Sequence, residues 1–206
     1  FMSGDVRAFS PRKNLTVYLI CREEFYDRRS PYGNGERDYE DNADRFIFFC
    51  KAVVETMRLA DLRADIVHAH DWQAGLAPAY LRFASPQRGG RPVPSLITIH
   101  NMAFQGQFAA TLFPSLGLPP SAWSVEGVEY YGDVGFLKAG MASANAISTV
   151  SPTYAREIRH GEFGMGLEGL VRARAADVHG ILNGIDTETQ YPYKAVDGTC
   201  QKMTAA

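Results

Sequence analysis

The sequence carries little net charge and lacks a long apolar run. Its 21 Lys and Arg residues nearly balance its 23 Asp and Glu residues, so the formal charge is −2 at pH 7. A charge this small gives no electrostatic argument for a nucleic-acid partner. No apolar stretch approaches the ~20 residues that a helix needs to cross a bilayer. We therefore expect neither a nucleic acid nor a membrane as a partner.

Cysteine is scarce and shows no paired spacing. Cys21, Cys50 and Cys200 are odd in number, lie far apart and form no C-x-x-C motif. This usage is typical of free thiols in a reducing compartment. We therefore expect a cytoplasmic protein.

The familiar nucleotide-binding loops are also missing. The sequence contains no P-loop, and its G-x-G-x-x-G match at residues 164–169 follows a predicted helix instead of a strand. A dinucleotide site requires these glycines between a strand and a helix, so this match does not indicate one.

What the sequence does contain is an alternation of short apolar runs and helical segments. The apolar runs lack polar alternation, as the buried strands of parallel sheets do. Strands that alternate with helices predict α/β architecture, with a Rossmann-like parallel sheet and helices on both faces. The predicted strands are Asp65–His70, Ser95–His100, Ala146–Val150 and His179–Leu182. The predicted helices are Gln73–Phe83, Phe136–Ala144, a segment that begins at Ser151 and Pro152, and Leu167–Arg174.

The region before the first of these strands shows three features. Val17–Ile20 is β-branched and aromatic, and it predicts a short buried strand. Arg22–Glu40 is charged and rich in Tyr, Gly and Pro, and it predicts a long loop of the kind that is usually functional or disordered. From Asp41 onward, apolar side chains recur at the spacing of one helix face, which predicts a helix with this stripe in the core. The stripe consists of Phe46, Phe49, Cys50, Val53, Val54 and Met57.

Polar residues stand at the ends of three predicted strands. Asp71 follows the strand Asp65–His70, His100 ends the strand Ser95–His100, and Asn183 follows the last strand. In open α/β sheets, ligands bind in the crevice outside the carboxyl ends of the strands. We therefore expect these three residues to meet at one edge of the sheet.

The residue types at this edge leave several roles open. The Asp71 carboxylate can accept hydrogen bonds from sugar hydroxyls, or it can cap the following helix. The Trp72 ring can stack on a sugar ring or brace the site. The amides of Asn101 and Asn183 suit a hydroxyl-rich ligand, although Asn183 followed by Gly184 is also typical of a turn.

The histidines at the first strand end allow three hypotheses. His68 and His70 point to the same side because side chains alternate along a strand. In the first hypothesis they bind a metal, with His100 as a third ligand and Asp71 as a fourth. In the second, at least one is a core histidine with a satisfied hydrogen bond. In the third, the strand end binds a polar, uncharged substrate such as a sugar.

Seven stretches between about Val17 and Asp186 match the motifs of one family in their order. They are Phe25–Arg28, Asp41–Phe46, His68–Leu81, Thr98–Gly106, Phe136–Gly140, Thr149–Ile158 and Gly180–Asp186. In these motifs the chain resembles the bacterial glycogen synthases and plant starch synthases, which are ADP-glucose-dependent glucosyltransferases.

The resemblance implies both a fold and an activity. The family fold, GT-B, has two Rossmann-like domains that face a deep cleft. Residues 1–186 would form part of the amino-terminal, acceptor-side domain, and residues 187–206 an atypical tail outside it. The implied activity is retaining transfer of glucose from ADP-glucose to the non-reducing 4-hydroxyl end of an α-1,4-glucan, glycogen or starch, without a metal or other cofactor. The implied location is the cytoplasm, or the plastid in a plant or alga.

The resemblance also implies site residues. Asp71 and His100 match family positions at the donor glucose and are our catalytic candidates. Asn183 matches a residue that lines the site, and Tyr32 matches a tyrosine near the nucleotide. Asn101 and Trp72, chosen from the residues themselves, complete the substrate-binding candidates.

The chain departs from the family pattern in what it leaves out. It contains neither the Lys-x-Gly-Gly loop that contacts the donor nor the carboxyl-terminal domain that supplies an Arg, a Lys and a Glu to the diphosphate and glucose. We therefore expect this chain to be inactive alone. Two further hypotheses are a metal-dependent hydrolase built on His68, His70 and His100, and a non-catalytic glucan-binding module.

Overall fold

The computed structural model describes residues 3–84 and 93–185, and the backbone of residues 193–196 and 199–202. Its strands are β1 Asp5–Arg12, β2 Leu15–Cys21, β3 Val67–His70, β4 Ser95–Ile99, β5 Gln107–Phe108, β6 Glu129–Tyr130, β7 Asp133–Gly135, β8 Ala146–Thr149, β9 Val178–Gly180, β10 Tyr193–Val196 and β11 Thr199–Lys202. Its α-helices are α1 Glu23–Tyr26, α2 Asn42–Leu59, α3 Asp71–Ala74, α4 Leu76–Phe83, α5 Phe113–Leu116, α6 Phe136–Ser143, α7 Pro152–Glu157, α8 Gly161–Gly164 and α9 Glu168–Ala173.

The centre of the fold is a parallel sheet with the strand order β3-β4-β8-β9. Its middle strands are apolar and buried, and Ile97, Ile99 and Ile147 are fully enclosed. The predicted parallel α/β sheet is therefore confirmed. The strands are shorter than predicted at their ends, as β3 begins at Val67 and β9 ends at Gly180.

Helices pack closely on the sheet where small residues allow it. The Cδ1 atom of Ile97 lies 2.5 Å from the point where a Cβ of Gly140 in α6 would stand. Gly180 of β9 lies equally close to Pro152 at the start of α7. The strand register places Ile97 and Gly180 on the same face. Within the described residues, α6 and α7 therefore cover one face, while the other carries His68 and His70.

The predicted amphipathic helix is confirmed as α2. Its amino-terminal half is buried, with Phe46, Ile47 and Cys50 in the core. Its carboxyl-terminal half is only partly buried, so the side chains of the predicted stripe become less buried toward Met57. Most of the first half is buried, since α2 packs against both α3 and α4.

The prediction for Val17–Ile20 was wrong in its burial. The segment is a strand, β2, but it pairs in an antiparallel hairpin with β1, outside the parallel sheet. Tyr18 and Leu19 are exposed. A two-stranded hairpin offers no second layer on which its apolar side chains could be buried.

The segments that flank the sheet also differ in detail from the prediction. Arg22–Glu40 contains the short helix α1 and a bridge between Gly33 and Asp38. A small antiparallel sheet, β5-β7-β6, was not predicted. Strands of two or three residues are too short to show a hydrophobic period. The predicted helix start at Ser151 is confirmed, because its Oγ accepts a hydrogen bond from the Tyr154 backbone N–H at 2.9 Å.

The proposed domain end falls partly outside the described residues. Asp186 and residues 187–192, 197–198 and 203–206 are not described, so the predicted boundary at 186 stays a prediction. Strands β10 and β11 form an antiparallel hairpin in the tail region. None of the helices in the described ranges is long and apolar enough to cross a membrane.

Candidate active site at the carboxyl edge of the sheet

Asp71 and His100 meet at the carboxyl ends of neighbouring strands. Asp71 follows β3 directly with a left-handed backbone, φ 53°. Its Oδ1 accepts a hydrogen bond from the His100 backbone N–H at 2.7 Å, just beyond β4. The carboxylate therefore holds the neighbouring strand end instead of capping α3, whose amino end has no side-chain cap. Its other oxygen, Oδ2, can accept hydrogen bonds from a ligand.

His70 brings a second contact to His100. Its Nδ1 lies 3.0 Å from Nε2 of His100, within hydrogen-bonding distance. The ring of His68 stacks beside that of His70 with centroids 4.2 Å apart. Burial lowers the pKa of His70, as do the neighbouring His68 and His100, while Asp71 acts in the opposite direction. This environment favours the neutral imidazole.

His68 is tied into the sheet itself. Its Nε2 lies 2.6 Å from Oγ1 of Thr98, which in turn lies 2.6 Å from Oγ of Ser148. The hydroxyl pair is buried, so these bonds satisfy polar groups that would otherwise lose water contacts. His68 therefore has the satisfied hydrogen bond of the second hypothesis, but it is exposed and is not a core histidine.

The metal hypothesis gains no support from this geometry. In residues 3–84 and 93–185, no group of three or more His, Cys, Asp or Glu side chains is arranged to hold a metal ion. The ring nitrogens that approach one another at this edge do so at hydrogen-bonding distances.

Trp72 supports the site from the hydrophobic core. It is 7% exposed and packs edge-to-face on Phe46, with ring centroids 4.8 Å apart. Phe108 and Phe136 complete the surrounding aromatic cluster. Gly106 lies directly against the ring. Of the two roles considered for Trp72, this burial fits the brace and leaves little surface for stacking on a sugar.

Tyr32 is exposed and is linked to the site through Phe46. Its side chain is 47% exposed, and its ring centroid lies 6.2 Å from that of Phe46, which touches Trp72. The loop that carries Tyr32 is anchored because Asn42 Nδ2 donates to the Tyr32 carbonyl at 2.8 Å. A two-pronged ion pair between Arg28 and Asp41 closes the same loop and lowers the pKa of Asp41.

The two asparagines lie at the same edge in different settings. Asn101 Oδ1 accepts a hydrogen bond from the Ala103 backbone N–H at 2.9 Å, which forms a turn after His100. Asn183 is exposed beyond β9, two strands away from β4. Among the hydrogen bonds of the described residues, none joins Asn183 to Asp71 or His100. The structure thus brings Asp71 and His100 into contact and leaves Asn183 farther along the same edge.

The sequence did not indicate which residues fix the loop after His100. The Tyr154 hydroxyl accepts a hydrogen bond from the Met102 backbone N–H at 2.9 Å. Gln105 Nε2 donates to the carbonyls of Met102 and Met165 at 3.2 and 2.9 Å. The predicted helix start at Ser151 was a usable signal for Tyr154, because it places this residue in the first turn of α7 beside the sheet edge.

Comparison with known proteins identifies the family of this chain. The family model described as the starch synthase catalytic domain matches residues 4–173. Glycogen synthase of Opitutus terrae is 58% identical over 93% of this chain and 40% of its own length. Glycogen synthase of Novosphingobium aromaticivorans is 59% identical over 85% of this chain and 37% of its own length.

A solved structure shows the same fold. It is the catalytic domain of starch synthase IV from Arabidopsis thaliana bound to ADP and acarbose, and it superposes with a TM-score of 0.80 at 28% identity. The match covers 94% of this chain and 39% of that chain, so this chain spans about two fifths of the length of such relatives. The family model alone covers most of the sequence, and the chain belongs to the starch synthase catalytic domain family.

Proposed function

We propose that this chain forms the amino-terminal, acceptor-side part of a retaining glucosyltransferase that transfers glucose from ADP-glucose to the non-reducing end of an α-1,4-glucan. The observation that carries the proposal is the contact between Asp71 Oδ1 and the His100 backbone at the carboxyl edge of the sheet. Ligands of open α/β sheets bind at this edge. The starch synthase IV relative was solved with ADP and acarbose, which supports a nucleotide-sugar donor and a glucan acceptor.

The chemistry asks for positioning and charge stabilisation. Departure of ADP builds positive charge on the anomeric carbon and negative charge on the diphosphate. Fixed dipoles and a held sugar supply most of the barrier reduction in such a transfer. Asp71 offers Oδ2 to a glucose hydroxyl, and His100 offers its exposed imidazole and its carbonyl. Neither residue is needed as a covalent nucleophile.

The remaining candidates take supporting roles in this proposal. Asn183 and Asn101 form hydrogen bonds with sugar hydroxyls at the same edge, where both side chains are exposed. Tyr32 offers an exposed ring toward the nucleotide. Trp72 acts from the core, where it fixes the start of α3 just after Asp71. We also infer a cytoplasmic location, which agrees with the free thiols Cys21 and Cys50.

The test of the proposal uses a chimera in which this chain replaces the matched segment of Opitutus terrae glycogen synthase. We expect it to transfer radiolabelled glucose from ADP-glucose to glycogen. Asp71→Asn should reduce the rate by about 100-fold, the usual loss when one preorganised transition-state contact is removed. A thermal unfolding midpoint equal to that of the unsubstituted chimera shows that each variant is folded.

The matched control is Asp61→Asn. Asp61 also has a left-handed backbone, φ 47°, but its side chain is 85% exposed. Its ion pair with Arg63 at the surface is long, with 4.0 Å between Oδ2 and the guanidinium nitrogen. This control removes the same charge in the same backbone conformation and should retain full activity. A chimera that binds ADP and transfers glucose equally well with Asp71→Asn would contradict the proposed role of Asp71.

A further inference from the structure

A direct contact between two imidazoles is the least explained feature of the site. His70 Nδ1 lies 3.0 Å from His100 Nε2, and the ring centroids are 5.3 Å apart. The two residues stand at the ends of neighbouring parallel strands, since His70 pairs with Thr98, two residues before His100. The proposed function assigns a role to His100 but none to His70.

A hydrogen bond between two imidazoles fixes where the protons are. One of the two nitrogens must carry the hydrogen and the other must offer its lone pair. A neutral imidazole carries one hydrogen on its two nitrogens. If Nε2 of His100 carries this hydrogen, Nδ1 does not, and the reverse also holds. The bond therefore couples the two tautomers. When His70 Nδ1 donates, Nδ1 of His100 carries its hydrogen and donates toward a ligand, and when His70 Nδ1 accepts, Nδ1 of His100 is an acceptor.

His70 is itself held in place from the other side. Its ring stacks on His68, and His68 is bonded to the buried Thr98 and Ser148 pair that crosses the sheet. The backbone of His100 is fixed independently by Asp71 Oδ1. His100 thus has two anchors, one on its backbone and one on its ring, and only the ring anchor controls the imidazole.

We propose that His70 is a positioning residue that fixes the orientation and the tautomer of the His100 imidazole. His70 touches no substrate in this scheme and acts only through His100. The tautomer is a property of the chain itself, whereas its effect on catalysis rests on the proposed glucosyltransfer.

The arrangement also requires both rings to be neutral or to share a single added proton. If both were fully protonated, two N–H donors would face each other and the bond would be lost. The charged or titratable groups that act on His70 are His68, His100 and Asp71. His68 and His100 disfavour a proton on His70, and Asp71 favours one.

The first test reads the ring nitrogens directly. The chain has only five histidines, His68, His70, His100, His160 and His179, so nitrogen-15 spectra of their rings can be assigned by single substitutions. We expect His100 to show one tautomer at neutral pH. His70→Phe keeps a ring beside His68 but removes the nitrogen, and it should return His100 to a mixture of tautomers.

Two further variants separate positioning from general damage. His70→Asn places a polar amide near the lost Nδ1 and should restore a single His100 tautomer. His179→Phe makes the same substitution at another exposed histidine, on β9, and should leave His100 unchanged. If His100 keeps its single tautomer in a folded His70→Phe chain, the proposal is wrong.

The second test measures catalysis in the chimera described above. His70→Phe should lower kcat about 10- to 100-fold, the scale of loss when a reacting group is misplaced, with little change in KM for ADP-glucose. His70→Asn should recover most of the rate. Unchanged kcat beside an altered His100 tautomer would show that the ring anchor does not serve the reaction. A chimera without any transfer would refute the proposed function, while the spectra would still decide the role of His70.

Discussion

Two residues at the site have a left-handed backbone. Asp71 has a φ of 53°, and Met165, whose carbonyl accepts a hydrogen bond from Gln105, has a φ of 49°. Such conformations cost free energy for residues with a side chain and persist only where surrounding contacts enforce them. Asp71 is enforced by its hydrogen bond to the backbone of His100. The strain therefore directs the carboxylate across the edge toward the neighbouring strand.

Gly106 shows how tightly Trp72 is held, and it gives a test of the bracing role. Its φ is +61°, and a Cβ would stand 2.8 Å from Cδ2 of the Trp72 ring. The ring cannot move aside because Phe46, Phe108 and Phe136 surround it. Gly106→Ala should therefore reduce the free energy of unfolding in urea by about 3 kcal/mol, the sum of left-handed strain and overpacking.

Gly132→Ala serves as the matched control. Gly132 also has a positive φ, +83°, but among the described residues no heavy atom outside its two chain neighbours lies within 4 Å of the position that an alanine Cβ would occupy. This variant reports backbone strain alone and should lose only about 1 kcal/mol. Equal losses in the two variants would mean that Trp72 gives way, which contradicts its role as a rigid brace.

At the scale of elements, a buried lysine joins α6 to the turn that precedes β6. Lys138 is 5% exposed, and its Nζ donates to the carbonyls of Ser124, Val125 and Gly127. Burial is the main cause that lowers the pKa of Lys138 to about 8. The Lys138 amino group supplies hydrogen bonds to these carbonyls that the irregular turn does not supply from its own backbone.

The lowered pKa of Lys138 predicts a specific pH dependence. An unfolded lysine titrates near pKa ~10.4, so between pH 8 and that value the unfolded chain binds more protons than the folded chain. Stability attributable to Lys138 should therefore increase as the pH rises through this window. Relative to Lys138→Met, the free energy of unfolding of the parent chain should gain about 1–2 kcal/mol between pH 8 and pH ~9.5.

Lys51→Met provides the comparison for this measurement. Lys51 donates to one carbonyl, that of Ser115, and it is less buried than Lys138. Burial lowers its pKa as well, but by less. Its substitution should leave most of the pH dependence in place. A difference between the parent chain and Lys138→Met that stays flat with pH would show that the lysine keeps its ordinary pKa in the fold.

Elements with many local signals could be predicted from the sequence, and elements defined by distant partners could not. The helix α2 carries its apolar period in its own residues, and α7 carries its cap in Ser151 and Pro152. The strand β2 is at least as apolar as the buried strand β4, yet it pairs with β1 and stays exposed. Whether β2 is buried depends on which elements pack against it, and the residues of β2 do not specify those elements.

The same distinction applies to the site of the whole molecule. That Asp71 and His100 would share an edge followed from parallel strands alone. The contact between His70 and His100 did not follow, because it depends on strand register and ring orientation. Asn183, which was expected to lie close to Asp71 and His100, lies farther along the same edge, since β8 separates β9 from β4.

The architecture of the whole chain leads to a last prediction, that these 206 residues alone transfer no glucose. Asp71, His100, Asn101 and Asn183 all lie along one edge of one sheet, so they approach a sugar from a single side. The relatives are more than twice as long, and the charge that develops on a departing diphosphate needs cationic partners on its own side. In a radiolabel assay with ADP-glucose and glycogen, the purified chain should give background counts, unchanged by Asp71→Asn, while the chimera is active. Transfer by the chain alone that disappears with Asp71→Asn would show that a single domain edge suffices for the reaction.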